Sequence, residues 1–344
     1  MITTKGIRIK NLIGWSAPHI AWLLIVMGGI AALYHFKIIS FTIPWLPVSV
    51  IGTAVAFYVG FKNNHAYERL WEARKIWGGI VNDSRSWGMM VDGFVTDLFA
   101  DNKVNDEELV KIKKTLIYRH IAWLYSHRSQ LLVPTPWEHI SQGGHVARTA
   151  KMYQEKFGVG LIDDEETNKG LEQFLVREEY ERLSKKANTA TQIINEQSRQ
   201  LTQLRKAGLI DDFRHMELEK LLKGFYTLQG KNERLKKFPL PRMQANMSRY
   251  FVGIFIALLP FSMIPNLMEV STWGLWLSVP VTILIGWIYI MMEIVGDYSE
   301  NPFQGMANDI PMLSLVRTIE IDLREMLNET DLPPVIQSSK GVLM

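Results

Sequence analysis

The 344-residue chain contains no cysteine, which excludes a disulfide framework, thiol catalysis, iron–sulfur ligation and any zinc site that draws on a thiolate. It also lacks the short motifs that carry common chemistries. None of its eight histidines (His19, His35, His65, His120, His127, His139, His145 and His215) pairs with another around a glutamate at helical metal-site spacing. There is no glycine-rich phosphate loop and no Gly-x-Ser-x-Gly elbow. No internal repeat, low-complexity tract or convincing strand is visible. An enzyme has no motif to stand on, and neither a cofactor nor a metal is implied. With a net charge of only +3, no nucleic-acid partner is implied either.

Charge is missing locally as well. No Lys, Arg, Asp or Glu occurs in the 26 residues between Lys10 and Lys37, the 24 between Lys37 and Lys62, the 19 between Arg249 and Glu269, or the 23 between Glu269 and Glu293. All four windows are predominantly apolar, and each is long enough for a helix that crosses the hydrocarbon core, which takes about 20 residues. The third carries Pro260 and Pro265, which a membrane helix tolerates when neighbours satisfy the freed backbone groups. The first window runs almost directly into the second and is too long for a cleavable leader. The mean hydropathy of +0.01 averages these windows with a polar remainder. The expectation is an all-α membrane protein with four transmembrane helices and a large cytosolic helical region.

Basic residues set the expected orientation. Lys5, Arg8 and Lys10 precede the first window, and Lys62, Arg69, Arg74, Lys75 and Arg85 follow the second. Lys231, Arg234, Lys236 and Lys237 stand before the third, whereas the loop between windows three and four offers only Glu269. The positive-inside rule then puts both termini and the long middle segment in the cytoplasm, with Lys37 in a short outer turn. The expected divisions are 1–61, with the first two membrane helices; 62–248, a cytosolic helical region; 249–293, with the third and fourth; and 294–344, a cytosolic tail. Within the middle region, Leu109, Ile112, Leu116, Ile117 and Ile121 recur at helical spacing, as do Leu171, Phe174, Leu175, Tyr180 and Leu183, which predicts amphipathic helices. Pro134, Pro136, Gly143 and Gly144 mark a loop, and the charge-dense stretch from Asp163 to Lys186 reads as a solvated surface.

The second window is the informative one. Gly52, Ala56 and Gly60 recur every four residues, a small-residue stripe along which another helix can approach closely. One residue round the helix, Thr53, Phe57 and Phe61 form a parallel stripe. Four helices without a charged residue in the bilayer offer no polar path through one chain. Any conduit must form between copies, where this stripe becomes a hydroxyl ring and two aromatic rings able to gate by dewetting.

The residues after window two resemble the signature of the bestrophin family in its bacterial form. They read Gly60-Phe61-Lys62-Asn63-Asn64, Tyr67-Glu68-Arg69-Leu70-Trp71-Glu72-Ala73-Arg74, Trp77-Gly78 and Val81-Asn82-Asp83-Ser84-Arg85. Glu233-Arg234 with Pro239-Leu240-Pro241 resembles a second family motif. Glu300-Asn301-Pro302-Phe303, Asn308-Asp309-Ile310-Pro311 and Thr318-Ile319-Glu320-Ile321-Asp322-Leu323 resemble a third.

The resemblance implies a homopentameric ion channel of a bacterial inner membrane, with the second helix of each subunit lining one central pore and a cytosolic vestibule below. By position, its hydrophobic neck falls on Thr53, Phe57 and Phe61. A second, cytosolic constriction falls near Phe213, within Ile210 to Met216. Animal members conduct anions and a bacterial member conducts cations, so the resemblance leans the expectation towards monovalent cations such as sodium. A chloride channel of the same architecture, a secondary transporter and a membrane-anchored helical scaffold stand as alternatives. Three departures matter. Thr53 replaces an aliphatic neck residue, which makes the outer ring wetter and the gate shorter. Phe238 replaces a threonine in the proline motif. Gln304 to Asp309 keeps one carboxylate, Asp309, where animal members have an acidic calcium clasp; calcium prefers several carboxylates, so calcium activation is not expected.

Overall fold

A computed structural model describes residues 1–4, 6, 9–157 and 171–344. Lys5 and Arg8, and residues 163–170 of the charge-dense stretch, lie outside the described residues. Ten α-helices are named here in chain order: α1 (Ile9–His35), α2 (Trp45–Phe94), α3 (Asp106–Leu132), α4 (Gly144–Phe157), α5 (Arg177–Leu183), α6 (Thr189–Lys206), α7 (Asp212–Lys237), α8 (Arg242–Val270), α9 (Gly274–Asp297) and α10 (Met312–Met326). Among the described residues there is no strand, only isolated bridges near the termini. The chain is an all-α membrane protein: α1, α2, α8 and α9 are each long and apolar enough to cross a bilayer.

The chain divides into two compact units, with breaks after Thr3, Arg69, Phe238 and Glu300. In the membrane unit, Leu23 and Met27 of α1, Val48, Val55 and Val59 of α2, and Val252, Phe255, Ile256 and Leu259 of α8 form one buried cluster against partly buried residues of α9. Buried hydroxyls on these helices bond back to their own backbone: Ser278 donates to Leu275 O at 2.6 Å and Thr282 to Ser278 O at 2.8 Å. These two hydroxyls thus leave no hydrogen facing hydrocarbon. Helix α8 runs through both Pro260 and Pro265 without ending. The turn into α9 demands a glycine, because a Cβ at Gly274 would lie 1.9 Å from Leu267 O.

The larger unit packs α3, α6, α7 and α10 with the second half of α2, around Trp77, Trp87, Trp123, Phe225, Val316 and Ile319. The starts of α6 and α7 are set by side chains that accept orphan amides: Asn188 accepts from Thr191 N at 2.9 Å and Asp211 from Arg214 N at 2.8 Å. Leu116, Ile117 and Ile121 are buried as their spacing predicts, with Leu109 and Ile112 partly buried beside them.

The second expected amphipathic helix is broken. Val176 is extended (φ −64°, ψ 140°) and caps a short α5. The break lets Phe174 and Leu175 on one side and Leu183 on the other all reach the core, which one straight helix would not do for that spacing.

Candidate pore-lining site

Helix α2 is continuous for 50 residues, so a register can be followed along it at about 100° per residue. Val48, Gly52, Val55, Val59, Lys62 and Ala66 are buried, at alternating steps of four and three that place them on one seam. Thr53, Phe57, Phe61, Asn64 and Glu68 are exposed and fall within an arc of about 80°. The centre of that arc lies about 180° from the centre of the seam.

The arc opens onto a groove of about 600 Å³, lined by Thr53, Ala56, Phe57, Gly60, Phe61 and Asn64 of α2 with Tyr289 of α9. Phe57 is 66% exposed and Phe61 63%. Large apolar side chains this open, beside hydroxyl and amide groups, form one wall of something rather than an enclosed pocket.

The two hydroxyls of the groove share a polarity. Thr53 donates its hydroxyl hydrogen to Ser49 O at 2.9 Å. Tyr289 donates to Gly52 O at 2.9 Å, and the Asn64 amide donates to Glu68 Oε1 at 3.0 Å. Because a hydroxyl has one hydrogen and two lone pairs, Thr53 and Tyr289 are left with lone pairs only, and Asn64 keeps its carbonyl oxygen. The two hydroxyls therefore present acceptors, while the Asn64 amide keeps one N–H as well as its carbonyl oxygen.

The small-residue stripe behaves unevenly. A Cβ at Gly52 would meet Phe255 Cε2 at 2.7 Å, so this glycine accommodates α8 within the same chain. Gly60 has nothing within 4 Å of its would-be Cβ, and Ala56 and Gly60 line the open groove.

The motif residues after the stripe mostly hold the fold. Lys62, on the buried seam and 1% exposed, pairs with Glu293 of α9 at 2.5 Å, and Ser248 of α8 donates to the same carboxylate at 2.9 Å. Asn63 donates to Met292 O at 2.9 Å and packs against Gly296, where a Cβ would lie 1.9 Å from its amide oxygen. Arg69 donates to Glu300 O at 2.9 Å, and Arg242 pairs with Glu300 at 3.2 Å. In the larger unit Glu72 pairs with Arg234 at 2.6 Å, and Arg85 with Asp322 at 2.8 Å.

Asp309 is buried, and one of its oxygens accepts from Gln304 N at 2.7 Å and Met306 N at 3.1 Å. Burial pushes its carboxyl up to about 7, against those two amides. Nearby, Lys236 and Glu138 pair at 2.5 Å, and Lys236 also donates to Phe303 O at 3.2 Å. Among the described residues no three His, Asp or Glu side chains gather closely enough to hold a metal ion. Phe213, in the first turn of α7, is 82% exposed.

Two contributors to the groove escape a reading that stops at the first charged residue. Asn64 lies three residues after Phe61, and Tyr289 comes from a helix more than 200 residues away. The step from Phe61 to Asn64 to Glu68 was the available signal for the first.

The family model described as bacterial/fungal bestrophin protein matches residues 10–325. Among curated proteins, the chain is 23% identical over 308 residues to the voltage-dependent anion channel-forming protein YneE of Escherichia coli (strain K12), covering 87% of this chain and 85% of that one. It is 26% identical over 289 residues to the voltage-dependent anion channel-forming protein mll4386 of Mesorhizobium japonicum, covering 84% and 76%. A crystal structure of a bacterial bestrophin homologue from Klebsiella pneumoniae superposes with a TM-score of 0.69 at 22% identity, covering 91% of this chain and 99% of that one. That structure shares the fold. With its motifs, helices and family match in register along nearly its whole length, the chain belongs to the bacterial and fungal bestrophin proteins.

Proposed function

We propose that this chain is the subunit of a homopentameric ion channel in a bacterial inner membrane, rather than an enzyme. The α2 arcs of five copies face a common axis, so that Thr53, Phe57 and Phe61 stack as a hydroxyl ring above two aromatic rings. The observation that carries the reading is the exposed arc, diametrically opposite a buried seam on an uninterrupted helix. One chain supplies only a wall, and closing the groove over Phe57 and Phe61 requires further copies. Gly60 and Ala56, open within the chain, admit the neighbouring α2. The channel-forming names of the curated relatives support the same class.

The permeant species on this reading are small monovalent cations, sodium among them. The hydroxyls of Thr53 and Tyr289 spend their hydrogens on backbone carbonyls and turn lone pairs outward, which suits a cation shedding water. The names of the curated relatives favour the second reading, an anion channel of the same architecture. Calcium does not activate this channel on our reading, because the one carboxylate of the 304–309 loop is sealed and already occupied by two amides. Both termini and the larger unit lie in the cytoplasm, supported by the basic residues flanking the windows. Phe213 forms a second ring on the cytosolic side.

Reconstituted protein should leak monovalent ions passively, run as a pentamer by native mass spectrometry, and conduct faster as Phe57→Ala, which widens and wets the neck. No flux from either version would overturn the reading. A reversal potential that follows chloride would transfer it to anions.

A further inference from the structure

The exposed arc of α2 does not end at the neck. Glu68 lies seven residues beyond Phe61, two helical turns within about 20° of full alignment, and about 10 Å further along the axis at 1.5 Å per residue. Its side chain is 62% exposed, so no packing role holds it there. Its partners are the Asn64 amide at 3.0 Å and the His65 ring at 3.4 Å.

The cations around it are directed elsewhere. Lys62, the first charge after the apolar window, is buried on the opposite seam against Glu293. Arg69 reaches Glu300 O at 2.9 Å, and the Arg74 guanidinium lies 5.7 Å over the Trp71 ring. Lys75 is the next cation on the same face, seven residues on and so about 10 Å further along the helix, roughly a Debye length at physiological salt. The first unneutralised formal charge that an ion meets on leaving the neck is thus a carboxylate.

We propose that Glu68 is a selectivity-determining residue, and that its copies form a carboxylate ring at the inner end of the neck that concentrates monovalent cations there and repels anions. This deepens the pore reading and rests on it. A ring multiplies one exposed charge by the number of subunits within a space narrowed by phenylalanines. A cleft lined by one sign of charge enriches its counter-ion about tenfold or more. The Asn64 hydrogen bond orients the carboxylate without neutralising it, and Asn64 contributes its own carbonyl oxygen to the same mouth.

The test is the sodium-to-chloride permeability ratio of the reconstituted channel, from reversal potentials in a sodium chloride gradient across a planar bilayer. Wild type should prefer sodium. Glu68→Gln should lower the ratio about tenfold, Glu68→Asp should retain most of it, and Glu68→Lys should carry it below one. Glu269→Gln, a charge at the far end of α8, should leave it unchanged. Size-exclusion profiles should match throughout, since the side chain is exposed. An anion-preferring wild type overturns the proposal, as does a Glu68→Gln ratio equal to wild type. If the ratio stays fixed while Phe57→Ala still raises flux, Glu68 is acquitted and the pore reading stands. If no variant conducts, both fall.

Discussion

Replacing Lys62 with methionine removes a charge that the fold has sealed. Lys62 and Glu293 sit on α2 and α9, 231 residues apart in the chain, and meet at 2.5 Å with 1% and 8% of their side chains exposed. Methionine keeps the stem and its packing but leaves Glu293 buried with only the Ser248 hydroxyl, which donates at 2.9 Å. Breaking one side of a buried pair costs about 3–5 kcal/mol, whereas removing both charges together is close to neutral. At about 2 °C per kcal/mol for a chain of this size, Lys62→Met should lower the apparent melting midpoint in detergent by about 5–10 °C. Glu293→Gln should do the same, and the double variant should recover at least half of the loss. The assay is thermal unfolding followed by circular dichroism, run as a double-mutant cycle. A single-variant shift under about 1 °C, or strictly additive losses, would refute the claim that this pair locks α2 against α9.

Gly52→Val should destabilise the membrane unit by about 1–3 kcal/mol through overpacking, because its Cβ would press on Phe255 Cε2; Gly60→Val, with open space around it, should leave the subunit's fold intact and instead shift native mass spectra towards fewer copies. Acid should weaken the larger unit, because burial holds His120 down to about 3 and His127 to about 4; the unfolded chain takes up those protons below pH 6.5 while the folded one does not. Asp309 works in the other sense: its carboxyl is raised to about 7, so its contribution is full below pH 3.8 and fades as pH climbs through 7. The histidines and the carboxyl oppose one another between pH 6.5 and 4, so Asp309→Asn should steepen the acid-side loss of stability in melting curves taken across this range.

The membrane helices were legible because charge is absent from windows of the right length. Their far ends were not. The charge gap of window two stops at Lys62, yet α2 continues to Phe94, since a helix needs no hydrophobicity once it leaves hydrocarbon and finds a protein core. Lys62 itself read as a boundary marker. Its burial depends on Glu293, which closed window four, and no local pattern links two charges so far apart. The exposed stripe of Thr53, Phe57 and Phe61 was legible from its four-residue spacing. Asn64 was missed because a strict step of four from Phe61 lands on His65, and the arc is kept only by stepping three. The break at Val176 was invisible for a related reason: both halves carry apolar residues at helical spacing, and only the demand that each half face the same core separates them.

The two faces of α2 assign different consequences to neighbouring residues. The seam residues Val48, Val55, Val59 and Lys62 contact the other membrane helices or their charges, so substitutions there are read as stability. The arc residues Thr53, Phe57, Phe61, Asn64 and Glu68 contact little within the chain, so substitutions there carry little folding cost and, on the proposed pore reading, act on conduction. The register that separates them is rigid, since one continuous helix allows no slip between residue 53 and residue 68. It follows that melting midpoint and ion flux should vary independently across the ten or so positions that alternate between the faces. An arc substitution such as Phe57→Ala that lowered the midpoint of the isolated subunit as much as a seam substitution would mean that this side chain is packed within its own chain, and the shared axis would lose its lining.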